Sequence, residues 1–125
     1  MQTQSNPVNW FEIAVTDMAR AKKFYGAVFD VEFQDLEMDG SVMAMFPWDT
    51  TKPGSSGSLY QHKEAQPNTQ GTTVYISCED CANEASNVER NGGQLIVPKT
   101  SIGEFGVIAQ FIDTEGNRVG MHSQN

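Results

Sequence analysis

Apolar and polar residues alternate from Trp10 to Val15, with Phe11, Ile13 and Val15 on one face of a strand and Trp10, Glu12 and Ala14 on the other. Asp17 follows as a helix N-cap, and Met18, Ala21, Phe24, Tyr25 and Val28 recur behind it at helical spacing. Asp30 to Met38 alternates again, Asp39-Gly40 is a hairpin turn signal, and Ser41 to Phe46 resumes as a strand. Pro47 to Gly57 is rich in turn formers and reads as a loop before a short fourth strand, Ser58 to His62. Lys63 to Gly71 has no periodicity and reads as a linker between halves.

From Thr72 the opening pattern returns. Val74, Ile76 and Cys78 alternate with Thr73, Tyr75 and Ser77, Asp80 caps, and Ala82, Ala85 and Val88 supply a weaker helical face that stops at Asn91-Gly92-Gly93. A shift of 63 positions lays Asp80 on Asp17, Cys78 on Val15, Ile76 on Ile13, Val74 on Phe11 and Thr73 on Trp10. This is an internal βα repeat. Gln94 to Ile102, Gly106 to Asp113 and Arg118 to His122 complete a second βαβββ run, with Asp113 to Asn117 as its last hairpin turn. The prediction is an α+β fold of two βαβββ modules, at about 8–62 and 72–123, within one unit spanning 1–125.

Composition narrows the function classes. The 125 residues, 38% of them hydrophobic, suffice for one core. Eight basic against 16 acidic residues give a formal charge of −8, which argues against a phosphate-tracking surface and so against nucleic acid. No apolar run approaches the roughly 20 residues a membrane span needs, and the N-terminus lacks a signal-peptide pattern. The expectation is a cytoplasmic protein. Cys78 and Cys81 form a C-x-x-C, but Cys78 falls on a core position, so both cysteines read as structural rather than redox-active or zinc-binding. The GEFG stretch at Gly103 to Gly106 is a turn without phosphate-loop spacing.

FEIAVTD followed by RA and FY, then Asn91-Gly92-Gly93, then FIDTEGNRVGMHS resembles the glyoxalase I, bleomycin-resistance and extradiol-dioxygenase superfamily, the vicinal oxygen chelate proteins. The resemblance spans almost the whole chain and rests on the order and spacing of short motifs. It implies that the two modules form a curved mixed sheet around a cup where small molecules bind, and that two chains form a homodimer. Carried over, the family's metal positions fall on Trp10, Thr73 and Gly120, with a fourth near Gly57 or Ser58. None is a good ligand where relatives present His and Glu donors. No cofactor is expected, and a divalent metal is disfavoured unless recruited by a route such as Glu12 with His122.

If the cup is present, strand parity turns Trp10, Glu12, Thr73, Tyr75, Ser77, Gly120 and His122 into it. Glu12 is the sharpest candidate, because a mid-strand carboxylate beside Trp10 costs free energy unless it is paired or hydrated; a plain hydrogen bond to a neighbour such as Tyr75 is the alternative. His122 is its natural acid–base partner, against a histidine that merely caps the sheet. Trp10 and Tyr75 read as pocket wall, whereas Trp48, Met38, Met43 and Met45 read as core. His62 reads as exposed. The leading expectation is a small-molecule binder without metal, with Trp10, Glu12, Thr73, Tyr75, Gly120 and His122 as ligand contacts. One alternative is a metal-independent or atypical-metal lyase or isomerase acting on a small carbonyl compound, with Glu12 and His122 as its catalytic pair. The other is a structural or partner-binding module whose cup is filled by its own side chains.

Overall fold

The computed structural model describes residues 6–38 and 40–125. The expected turn at Asp39-Gly40 therefore lies partly outside the described residues, as do the first five residues of the N-terminus. Two four-stranded mixed sheets carry one helix each. The first holds β1 (Glu12–Ala14), β2 (Gln34–Met38), β3 (Ser41–Met45) and β4 (Ser58–Gln61) in the order β1-β4-β3-β2. The second holds β5 (Tyr75–Ser77), β6 (Gln94–Ser101), β7 (Val107–Ile112) and β8 (Arg118–Ser123) in the order β5-β8-β7-β6. Helix α1 (Met18–Phe29) follows β1, and α2 (Cys81–Val88) follows β5 and runs into a 3-10 turn over Glu89–Asn91.

The repeat is structural as well as sequential. In each module the first strand pairs in parallel with the last, Glu12 opposite Ser58 and Tyr75 opposite Gly120. Tyr75 follows Glu12 by 63 positions, but Gly120 follows Ser58 by 62, so the two strand pairs do not share one offset. Val15 N–H donates to Tyr60 O at 2.9 Å, and Cys78 N–H donates to His122 O at 2.8 Å. The first amide of each helix donates to the last strand of its own module, Met18 to Gln61 Oε1 at 2.9 Å and Cys81 to Ser123 Oγ at 3.1 Å. These bonds supplement the caps, Asp17 accepting from Arg20 N–H and Asp80 from Ala82 N–H.

Several boundaries differ from the sequence expectation. Asp30 does not begin a strand; it closes α1 in the left-handed conformation, φ 53°, and Val31 and Phe33 then pack against the core before β2 starts at Gln34. The buried stripe of α2 is Cys81, Ala85 and Val88, an i, i+4, i+7 set, and Ala82 is exposed although the cap at Asp80 is where the sequence put it. Gly103–Phe105 is a 3-10 turn.

Ile13, Val15, Ala44 and Leu59 of the first sheet join Ala109, Phe111, Val119 and Met121 of the second in one core beneath both helices. Phe24, Tyr25 and Phe111 form its aromatic centre, with ring centroids 5.0–6.2 Å apart. Each such side chain contributes about 1.5–3 kcal/mol by burial. Gly93 is required here, since a Cβ would lie 2.7 Å from the Phe24 ring.

The last hairpin turn clasps the modules together. Asp113 is buried and accepts from Tyr25 Oη (2.7 Å), Asn117 Nδ2 (3.1 Å) and the amides of Glu115 (2.8 Å) and Asn117 (2.9 Å). Asn117 Nδ2 also donates to Ala14 O of β1 at 2.7 Å, and Asn117 Oδ1 accepts from Asn68 N–H of the connecting segment at 3.2 Å.

Glu115 of the same turn reaches the start of α1. It accepts from the amides of Thr16 and Asp17, both at 2.9 Å, and pairs with Arg20 at 2.6 Å. Partial burial pushes its carboxyl up, but the bonds from Arg20 and from the Asp17 and Thr16 amides outweigh that and bring it from an ordinary 4.5 to about 2. A carboxyl depressed in the folded state gives stability that is complete above the unfolded value and lost as pH falls toward the folded one. Urea midpoints should therefore decline between about pH 4.5 and 2 more steeply for the parent protein than for Glu115→Gln; parallel declines would refute this assignment.

Candidate functional site

The helices cover one face of each sheet, and the alternation that buries Ile13, Leu59, Ala109 and Met121 turns their neighbours onto the other, open face. On the second sheet that face carries a row in strict register, Tyr75 opposite Gly120 and Gly120 opposite Gln110. Tyr75 is 44% exposed, and its ring lies across Gly120 so closely that a Cβ there would overlap it. The ring spans the glycine to reach the next strand, where Gln110 Nε2 donates to its hydroxyl at 2.7 Å. Tyr75 is thus fixed at both ends, by backbone beneath and amide beyond, with its outer edge in solvent. Ser77, His122 and Ile108 form the adjacent row.

His122 is half-buried, and its Nε2 lies 2.6 Å from Phe105 O. A carbonyl only accepts, so this ring nitrogen donates, and His122 pins the Gly103–Phe105 turn. Gly106 leaves the room, since a Cβ there would stand 3.1 Å from Nε2.

Glu12 occupies the first sheet, opposite Ser58. It is exposed rather than sunk in a dry face, so hydration removes the burial cost that the sequence suggested. No hydrogen bond joins it to Tyr75 or His122 among the described residues. The structure therefore does not bring Glu12 and His122 together: they share parity on first and last strands, but those strands belong to different sheets and the imidazole serves its own turn. Thr73 is half-buried just before β5. Trp10 lies before β1, edge-on to Trp48 at 5.8 Å, and Trp48 is 66% exposed rather than core. Ser58 Oγ is buried without a hydrogen-bond partner.

The strand pairing settles which position corresponds to Gly120 in the first module: it is Ser58, not Gly57. Trp10, Thr73, Gly120 and Ser58 thus make up the set that would have to hold a metal, and it offers neither imidazole nor carboxylate. The space that a longer side chain at position 120 would use is filled by the Tyr75 ring. These residues do not fit a divalent ion. No group of three His, Cys, Asp or Glu side chains among the described residues could hold one elsewhere. Both cysteines are free thiols, and burial, followed by a hydrogen bond with Glu84, pushes the Cys78 thiol far up, away from nucleophilic use. No helix among the described residues is long and apolar enough to cross a membrane.

Gln110 was not marked by the sequence, although its place on β7 opposite Gly120 follows once β7 and β8 are paired. Arg118 and Asn68 were likewise unmarked. With Glu12, Ala14, Thr72 and Val74 they line a cleft of about 220 Å³ at the seam between β1 and the starts of β5 and β8.

Residues 8–121 match the model of the Glyoxalase/Bleomycin resistance protein/Dioxygenase superfamily. The chain belongs to that superfamily. A glyoxylase-like domain-containing protein of Didymella fabae is 32% identical over 114 residues, 88% of each chain. The CFP32 protein of Mycobacterium tuberculosis is 27% identical over 119 residues, which cover 94% of this chain and 45% of that one. The chain thus spans about half the length of the mycobacterial relatives it matches. Among solved structures, glyoxalase I of Zea mays superposes with a TM-score of 0.67 at 18% identity, over 94% of this chain and 46% of that one. At that identity the likeness concerns the fold, two βαβββ modules with open mixed sheets.

Proposed function

We propose that this superfamily member binds a small organic molecule on the open face of its sheets without a metal ion. The observation that carries the reading is the Tyr75 ring held across Gly120 by Gln110: an exposed, immobilised aromatic surface stands where metal-dependent relatives are expected to present a ligand. A rigid aromatic face with a polar rim of Gln110 and Ser77 suits a flat or apolar compound, since it gives contact area at little entropic cost. An acid–base step by Glu12 with His122 has less support, because Nε2 of the imidazole is already engaged by Phe105 O.

Equilibrium dialysis of the purified protein against zinc, manganese, nickel and cobalt, with metal counted by atomic emission, tests the first half of the reading. No stoichiometric ion is expected; one ion per chain would overturn it. Chelator-treated protein titrated with small aromatic and carbonyl compounds should then show NMR shifts at Tyr75, Ser77 and Gln110, and shifts confined to other surfaces would count against the second half.

A further inference from the structure

The seam cleft carries a feature the Tyr75 face does not: two opposite charges that leave each other alone. Glu12 of β1 and Arg118 of β8 line the same cleft of about 220 Å³. Both are exposed, and neither side chain has a hydrogen bond or ion pair with any described residue. Arg20 pairs with Glu115, Lys22 with Asp35 and Lys99 with Asp80, whereas Arg118, like Lys23 and Lys63, has no ion pair among the described residues; what sets it apart is that it lines a cleft together with an acidic side chain. Glu12 and Arg118 sit on strands of different sheets that meet at this seam. Asn68, Gln70 and Thr72 line the same cleft.

The walls are rigid. Asn117, the residue before Arg118, is buried and tied to Asp113, to Ala14 O and to Asn68 N–H, so one side chain fixes β1, β8 and the connecting segment relative to one another. With the backbone of the walls already tied, the ordering cost on the protein's side falls on the Glu12 and Arg118 side chains. The volume falls below the roughly 300–1,000 Å³ of drug-sized pockets and suits a molecule of amino-acid size.

We infer that this cleft binds a small zwitterion, with its ammonium toward Glu12 and its carboxylate on the Arg118 guanidinium. The planar guanidinium matches a carboxylate bidentately, and a carboxylate rim matches an ammonium. A singly charged molecule satisfies one end and leaves the other charge facing it without compensation. The inference stands apart from whatever the Tyr75 face binds, since Tyr75 does not line this cleft.

NMR titration of the full chain tests it with glycine, β-alanine and γ-aminobutyrate, which vary the charge separation, against propionate and propylammonium as single-charge controls. The expected result is saturable shifts at Glu12, Asn68, Thr72 and Arg118 for at least one zwitterion, with affinity about tenfold or more above either control. Glu12→Gln should reduce that affinity to the level of propionate, and Arg118→Gln to the level of propylammonium; both residues are exposed, and the spectrum itself reports folding. Equal shifts from zwitterions and controls, absence of shifts at the seam, or unchanged affinity in both variants would each overturn the inference. A response at Tyr75 and Gln110 alone would likewise refute it while leaving the metal-free binding reading in place.

Discussion

Asp113→Ala should destabilise the protein by about 2–5 kcal/mol, because several buried neutral donors lose their shared acceptor. Four donors converge on this carboxylate, which is only 4% exposed: the Tyr25 hydroxyl, the Asn117 amide group and two backbone amides. Alanine leaves the Tyr25 phenol and the Glu115 and Asn117 backbone amides without this acceptor, and a buried unsatisfied group costs about 1–3 kcal/mol. The effect extends beyond the turn, because Asn117 loses the partner that aims it at Ala14 and Asn68. Against a total stability of about 5–15 kcal/mol for a domain of this kind, the loss is a large fraction. Tyr25→Phe is the calibrating variant, since it removes one donor and keeps the ring. Urea unfolding of the two variants should give a clearly smaller loss for Tyr25→Phe, of about 1–2 kcal/mol. Equal losses would mean that Asp113 acts through Tyr25 alone and not as the hub of the clasp.

The phenol at Tyr25 also sets an alkaline limit. Burial above all, then the charge of Asp113 and the hydrogen bond to it, push its ionisation well above the ordinary value of 10.0. A group raised in the folded state contributes stability below its unfolded value that is lost as pH climbs past it. The clasp is therefore strongest where Asp113 can accept and Tyr25 can donate.

Local pattern made the elements legible. Period-2 alternation with Ile13 and Val15 inward, the caps at Asp17 and Asp80, and the stripe Ala21, Phe24, Tyr25 and Val28 all depend on residues within a few positions of one another, and each is present in the fold. The 63-residue repeat was visible because both modules alternate along a first strand and then cap the following helix with an aspartate. Asp30 misled because a left-handed cap on a non-glycine residue leaves little trace in an alternating run. Cys81 rather than Ala82 leads the buried stripe of α2 because the i, i+4, i+7 set from Cys81 includes Ala85 and Val88.

The site was legible residue by residue but not as an arrangement. Parity placed Tyr75, Gly120, Glu12 and His122 toward an open face, yet parity does not say which strands are neighbours. The contact between Tyr75 and Gln110 crosses three strands and depends on the parallel register of β5 with β8 and the antiparallel register of β8 with β7. Glu12 and His122 share no hydrogen bond among the described residues, since they sit on different sheets and Nε2 of the imidazole is engaged by Phe105 O. The D-T-E-G-N run read as a turn, whereas three of its four side chains, Asp113, Glu115 and Asn117, hold the two modules together. No periodicity announces a contact across about 90 residues of chain.

The account turns on the ring of Tyr75 owning the space above Gly120, and a double-mutant cycle tests that directly. Gly120 does not adopt a positive φ, so alanine is acceptable to the backbone, and any cost of Gly120→Ala must come from the overlap of the new methyl group with the ring. Overpacking of this sort costs about 1–3 kcal/mol. The displaced ring also loses its bond from Gln110, so the tyrosine ring resonances should shift. In a Tyr75→Ala background the methyl group meets open space, and Gly120→Ala should then be neutral to within about 0.5 kcal/mol. The account predicts that difference in urea unfolding free energy; an identical cost of Gly120→Ala in both backgrounds would contradict it.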